Sequence, residues 1–569
     1  MMSPAQAFQI LYGRIRREWR YAFLTCFFTG LLVHMPMLLS DIPNHDGLDS
    51  MYFDQNMITS GRWFLSVACG FSSYYTIPWV IGLLGLTFLG VAAAALCELL
   101  EVRKLWAVMG ISALLAVFPA LASTFAYVYT LDGYMLALML AVLAVLFTKR
   151  FRTGFLAGAL CLAFSMGIYQ GYLPFAMILS IYAVLMLLAE NGGQQVAAEW
   201  DEKRLKTAKK RRWEAPNAEK ATQSGREKPG EDRVRPGEGR AGAGTAETIR
   251  VMLHYLYMGV LGAGFYYGIL QILLRIQGKE LDTYQGISGM ASGNASGGLL
   301  STIAEMYVDF FKFFLKGNVL FQNTFSLAAW VLLAFSAAAA VFLHGRRRKY
   351  WKNPHLLVIM VAAVLALPLA TNIILLVSPE VNYHLLMRYQ WVLYAVGAVA
   401  LAGNGGCGTG MKKGSWPEWG ALLSAAILVF CYCITDNIAY ANLQKRYEKT
   451  YAYCIRLLDR IEQTEGYFPG IPIAMVGVVG DEQYPVTDIT LPVTSGMIGM
   501  NGDSLLYRGD NYRIFIRNYL GATLNILPPE AMAEMYYSEE YTAMDSFPGE
   551  NSIRIIDGIM YIKTENMER

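Results

Sequence analysis

Long apolar runs separated by short polar connections dominate this chain. Runs of about the length that crosses 30 Å of hydrocarbon lie at Tyr21–Leu39, Ile77–Leu99, Leu105–Ala122, Leu131–Thr148, Gly154–Ile168 and Leu173–Ala189. Five more lie at Val251–Leu274, Phe325–Leu343, Leu356–Val377, Trp391–Ala402 and Ala421–Ile434. The pattern predicts a mainly α, polytopic membrane protein with about 11 transmembrane helices. The shortest runs, near Cys161 and Ala395, also suit tilted or re-entrant hairpins.

Charge tests the count, because a miscounted span would put basic loops on alternating sides. The Arg14, Arg16, Arg17 and Arg20 cluster, Arg103 with Lys104, and Lys149 to Arg152 share one face. So do Lys203 to Arg240, Arg346 to Lys349, and Lys412 with Lys413. This face is therefore expected to be cytoplasmic, and the first run to be a retained helix, since no small-residue cleavage pattern follows it. Loops 41–76, 275–323 and 378–390, with everything after Thr435, fall on the opposite side. Composition agrees, with 55% hydrophobic and 16% charged residues, and a net charge of +3 supplies no basic field for nucleic acid. The eight cysteines are scattered without metal-ligand spacing, and Cys431 with Cys433 suits a pair of small buried thiols.

Four parts follow: a transmembrane module at 1–190, a basic disordered cytoplasmic insert at 191–248, a second transmembrane module at 249–435, and an extracytoplasmic α+β domain at 436–569. The insert is rich in Lys, Arg, Glu, Gly and Pro and cannot bury enough apolar surface to offset chain entropy. In loop 275–323, the small residues from Gly286 to Gly298 suit a mobile cover. Ile303, Met306, Tyr307, Phe310, Phe311 and Phe314 then recur at helical spacing, which predicts an amphipathic helix at the membrane interface. The tail opens on a polar helical stretch, Asn442 to Glu462, and continues in short alternating segments such as Ile471 to Val479 and Ile553 to Ile562.

Candidate chemistry gathers on the side away from the basic loops. The first such loop carries Asp41, Asp46, Asp49 and Asp54 with His45, Tyr52, Arg62 and Trp63. Sugar transfer from a lipid phosphate needs a carboxylate to take the proton of the attacking hydroxyl and a cation for the departing phosphate. Asp46 or Asp49 fits the first role and Arg62 the second. His384, Arg388, Arg275 and Lys279 are further phosphate candidates, since basic groups at the same face can bind its oxygens. Tyr52, Trp63, Tyr129, Tyr169 and Gln170 supply aromatic and hydrogen-bonding groups suited to sugar. Oxygen ligands spaced as Asp46 and Asp49 are suit magnesium or manganese, but Asp-x-x-Asp recurs too widely to predict either. No Walker A loop, dinucleotide fingerprint or nucleophile elbow occurs in a strand-to-helix context.

The arginine-led first span, Asn44-His-Asp46-Gly-Leu-Asp49, Ser60-Gly-Arg62-Trp63, Tyr169-Gln170 and the Asp436 to Asn442 stretch together resemble the GtrII-type glucosyltransferases. That resemblance implies GT-C-like architecture, a polyprenyl-phosphate-sugar donor and a cell-surface glycan acceptor such as O-antigen. It further implies a polyprenyl-phosphate sugar synthase and a flippase in the same pathway. Asp46 and Asp49 become the catalytic candidates, with Arg62 supporting phosphate. The alternatives are a polysaccharide or lipid transporter and a polysaccharide polymerase; a transporter should show repeats and midplane charges, and the sequence shows no such repeat. Replacing Asp46 and Asp49 singly by Asn should abolish sugar transfer while membrane insertion persists. Full activity in both variants would remove the carboxylate mechanism.

Overall fold

The computed structural model describes residues 3–43, 47–50, 57–73, 78–190, 240–281, 298–317, 319–348, 354–378, 381–404, 415–475, 491–497, 499–500, 506 and 509–564. Among the described residues each predicted apolar run is helical over most of its length. Nine of the described helices are long and apolar enough to cross a membrane. A bent pair, Leu105–Val117 with Pro119–Phe125, and the shorter Gly154–Ile168 account for the other two. The pair is bent by 45°. Its cause is Pro119, which has no N–H and pushes Phe118 into extended backbone (φ −66°, ψ 127°).

Arg17–Leu39 packs along Pro78–Leu99, followed by Leu131–Arg150, Gly154–Ile168 and Arg240–Gln277. Small residues permit the close approach: a Cβ added at Gly90 would lie 2.8 Å from the Phe23 ring. On the other side Trp416–Gln463 packs against Thr324–Arg348, Leu105–Val117 and Val392–Asn404.

The basic loops meet at one end of this bundle. Glu98, only 8% exposed, pairs with Arg16 and Arg103 at 2.9 Å and with Arg150 at 3.6 Å. Trp19 Nε1 donates to the same carboxylate at 3.1 Å. Lys149 pairs with Glu101 and Lys104 with Glu418, each at 2.8 Å. Clustering of charge at span ends is what a hydrocarbon solvent enforces, since a charge at its centre is costly.

Two predicted boundaries move. The span expected from Val251 is the inner part of Arg240–Gln277, 38 residues long, and no proline stands between Arg240 and the apolar run to end the helix. The last span and the polar helical stretch are one helix, Trp416–Gln463, of 48 residues. Nothing between them breaks a helix, and at 1.5 Å per residue it runs about 72 Å. Its buried stripe continues from Ala421, Ala425, Leu428 and Tyr432 through Tyr440 and Leu443 to Tyr453, Leu457 and Ile461. The first of these belong to the bundle core and the last three to the core of the tail.

The tail is the predicted α+β unit. Its four-stranded sheet has the order β2-β1-β4-β3, with β1 (Pro472–Met475) parallel to both β2 (Asn525–Ile526) and β4 (Ile559–Ile562). The segment expected as one strand at Ile553 to Ile562 folds back on itself, because Asp557 and Gly558 both take positive φ (50° and 78°) and turn β3 (Ile553–Ile556) antiparallel onto β4. The 191–239 part of the insert and the 286–297 part of the expected cover lie outside the described residues.

The amphipathic helix is present as Gly298–Lys316. Met306 and Phe313 are buried, and Phe310 and Phe314 pack on Trp391 at 5.4 Å. Phe311, expected on the same face, is 57% exposed with Leu300, Val308 and Leu315. Asp309 ties the helix down by accepting from Arg388 Nη1 at 2.7 Å and Nη2 at 3.0 Å. Arg388 is only 4% exposed, so Asp309→Ala should strand a buried charge at a cost of about 3 kcal/mol. Thermal unfolding in detergent should show that loss, with most of it recovered in the double variant Asp309→Leu, Arg388→Met; a double variant as unstable as the single one would refute the pairing argument.

Candidate functional site

The loop that ends in Ser60-Gly61-Arg62-Trp63 folds as a turn against the Gly154–Ile168 helix end. Phe64 N donates to Gly167 O at 2.7 Å, and Gly61 N to Ile58 O at 2.9 Å. Gly61 has φ +78°, and a Cβ there would lie 2.5 Å from both Gln170 Nε2 and Tyr266 Oη. Only glycine meets both demands.

This turn delivers Arg62 into a nest of tyrosines. Its Nε donates to Ser60 Oγ at 3.0 Å and its Nη1 to Tyr134 Oη at 3.3 Å. The Tyr134 ring stacks on Tyr169 at 4.5 Å. Gln170 Nε2 donates to Ser60 O at 3.1 Å and to Tyr266 Oη at 3.0 Å, closing the nest. Burial works against the Arg62 charge, while the hydroxyls of Tyr134, Tyr129 and Tyr169 favour it. Burial, then the neighbouring Tyr134 and Tyr172, hold the Tyr169 phenol well above its usual range and so neutral. Among the described residues no carboxylate lies within ion-pair distance of Arg62. A half-buried guanidinium without a counter-ion is a costly arrangement and a ready anion site.

The nest sits at the end of the bundle away from Glu98. Tyr134 and Arg150 are sixteen residues apart on one helix, Leu131–Arg150, which is about 24 Å. The Gly47–Ser50 helix packs between the Val128–Thr130 turn, which carries Tyr129, and the Gly509–Phe515 helix of the tail. Leu48 is buried in the tail core. The backbone bearing Asp49 is thus held next to the Tyr129 turn; its side chain, with Asp46 and Tyr52, lies outside what is described. Among the described residues no group of three or more His, Cys, Asp or Glu is placed to hold a metal.

Of the residues singled out in the sequence, Arg62, Tyr129, Tyr169 and Gln170 come together. Trp63 adjoins them but is buried against Phe64, Phe164 and Gly167, so packing occupies its ring. Arg388 is elsewhere: its Nε donates to Tyr383 O at 3.1 Å, both terminal nitrogens are held by Asp309, and it lies over the Tyr383 ring at 3.8 Å. As placed, it is a structural tie and not an open phosphate ligand. His384 is half-buried at the start of the same Leu385–Trp391 segment. Arg275 and Lys279 are exposed at the end of Arg240–Gln277, about 13 Å or more beyond Tyr266 along the axis.

Tyr134 and Tyr266 were missed because both fall inside runs counted as spans, where a tyrosine carries no signal of which face it occupies. Buried His34, inside the first run, escaped notice for the same reason. His34 Nε2 meets Ala116 O at 2.8 Å, a carbonyl freed by the break at Phe118, and its Nδ1 faces Tyr440 Oη. A carbonyl only accepts, so Nε2 bears the hydrogen and Tyr440 donates to Nδ1, pinning the first span to the long helix. Asp436 is fully buried with neither oxygen partnered among the described residues.

Residues 35–207 match the family model described as Glucosyl transferase GtrII. The stretch begins at the end of the first span and holds the acidic loop, Arg62, Tyr134, Tyr169 and Gln170, so the resemblance carried by those motifs is borne out there. Glucosyl transfer is the activity that this family description names. No curated protein and no solved structure matches the chain. Gly61→Ala should cost about 1–3 kcal/mol of local strain and lower sugar transfer at least tenfold with expression retained; wild-type transfer would show that the turn does not set the position of Arg62.

Proposed function

We propose that this membrane glycosyltransferase moves a hexose, glucose by its family, from a polyprenyl-phosphate donor to a cell-surface glycan on the side of the membrane away from the cytoplasm. The observation that carries this reading is the half-buried guanidinium of Arg62 in its ring of phenols, with no carboxylate to pair it among the described residues. In the reaction the acceptor hydroxyl oxygen bonds to the anomeric carbon as the bond from that carbon to the phosphate oxygen breaks. The electron pair leaves on the polyprenyl phosphate, whose added charge Arg62 neutralises. Asp46 or Asp49 takes the hydroxyl proton. Arg62 lies near the span ends, where a phosphate at headgroup depth meets it while the polyprenyl chain stays among the lipids.

The positive-inside bias supports the sidedness: the Glu98 end, with its surplus arginines, belongs to the cytoplasm, so the nest and the tail belong outside. Nucleotide sugars are kept in the cytoplasm, which favours a donor carried across the membrane by a flippase after a synthase has charged it. A GT-C-like arrangement is consistent with an acidic first outer loop beside the phosphate site. The tail packs on this loop through Leu48 and so stands where an acceptor glycan would approach.

Arg62→Ala should lower hexose transfer in membrane vesicles by about 100-fold or more, the scale of losing a charge-stabilising donor. Arg62→Lys should recover only part of it, because an ammonium lacks the planar fork. Mass analysis of the surface glycan, reading one added hexose, is the check; undiminished transfer by Arg62→Ala would sink the proposal.

A further inference from the structure

The nest holds more donors than acceptors. Arginine can only donate, so in the contact of Arg62 Nη1 with Tyr134 the phenol oxygen accepts, and the Tyr134 hydrogen must point elsewhere. Ser60 O can only accept, which fixes the Gln170 amide with its nitrogen toward Ser60. That nitrogen's second hydrogen goes to Tyr266 Oη, so Tyr266 also accepts, and its own hydrogen is left over. Neither phenol hydrogen meets an acceptor among the described residues, and Arg62 Nη2 has no partner there either. Tyr134 and Tyr266 are each only 6% exposed, so bulk water is not the ready answer.

From this we infer that Tyr134 and Tyr266 are the second and third ligands of the phosphate that Arg62 binds. The inference rests on the reading of Arg62 given above and deepens it. Three donors around one positive charge suit a tetrahedral oxyanion better than a planar carboxylate, which offers two oxygens. The number has a chemical meaning. A sugar phosphodiester donor has two non-bridging oxygens; cleavage at the anomeric carbon leaves the former bridging oxygen on phosphorus with its electron pair, giving a monoester with three terminal oxygens. One of the three donors therefore gains its full partner only as the bond breaks, which is binding energy expressed in the transition state and not in the ground state. Tyr266 comes from Arg240–Gln277, beyond the matched residues 35–207, so the second transmembrane module completes a site begun by the first.

The test uses the full-length protein in nanodiscs with farnesyl phosphate, farnesol and inorganic phosphate as probes. Tyr134→Phe and Tyr266→Phe keep the rings and remove only the donors. Each should weaken farnesyl phosphate binding about tenfold or more, the range for a hydrogen bond to a charged group, and the one that faces the leaving oxygen should lower turnover at saturating donor more than it raises KM. Farnesol should not compete. Tyr255→Phe, which removes a buried hydroxyl of the same helix that has no partner among the described residues, should change nothing. Should Tyr266→Phe fail to fold, Tyr134→Phe carries the test by itself, since it removes one donor and leaves the contact of Gln170 with Tyr266 intact.

Wild-type affinity for farnesyl phosphate in both Phe variants overturns the inference. So does competition by inorganic phosphate with farnesyl phosphate inert, which would assign the donors to a free anion. A protein that binds farnesyl phosphate through these phenols yet transfers no hexose would defeat the transfer reading and leave this one standing. Hexose transfer with both variants binding at full strength would do the reverse.

Discussion

Charge has few places to stand in a molecule whose solvent is hydrocarbon, and that constraint orders the structure. Glu98 gathers arginines from three separate segments at one end. Asp309 and Arg388 neutralise each other where the amphipathic helix meets the bundle. Arg62 alone among these strong charges is partly withdrawn from water and given hydroxyls in place of a carboxylate. The same rule that pairs Glu98, Asp309 and Arg388 makes this one informative: the anion proposed for it is the part of the site that would arrive with the substrate.

The apolar periodicity carried most of the fold. Eleven runs, counted on length and checked by the side on which lysines and arginines fall, correspond to the nine long helices, the bent pair and the one short helix among the described residues. What it could not carry was continuity. The span at Ala421 and the polar helix at Asn442 differ in hydropathy, yet no Pro or Gly separates them, and the backbone runs straight through. The reverse happened at Ile553 to Ile562, where alternation looked like one strand and Asp557-Gly558 turned it into two.

The candidate site was legible where polar residues stood out against loops, and opaque where they sat inside apolar runs. Arg62, Tyr169 and Gln170 were visible for that reason; Tyr134 and Tyr266 were not. Arg388 shows the opposite failure. A basic residue at a span mouth has the composition of a phosphate ligand, but Asp309, almost eighty residues earlier, supplies its partner, and a pairing across that distance leaves no trace in local spacing. Trp63 likewise has the composition of a sugar platform and the environment of a wedge, with Gly167 giving up its side chain to admit the indole.

The unbroken Trp416–Gln463 helix bears on how the two halves of the molecule move. A rod shared by two cores transmits torque: turning the tail about the helix axis must turn the buried stripe that Ala425, Leu428 and Tyr432 press into the bundle. The tail is therefore geared to the spans and not hung from them, and its sheet keeps a fixed height and azimuth relative to the bundle.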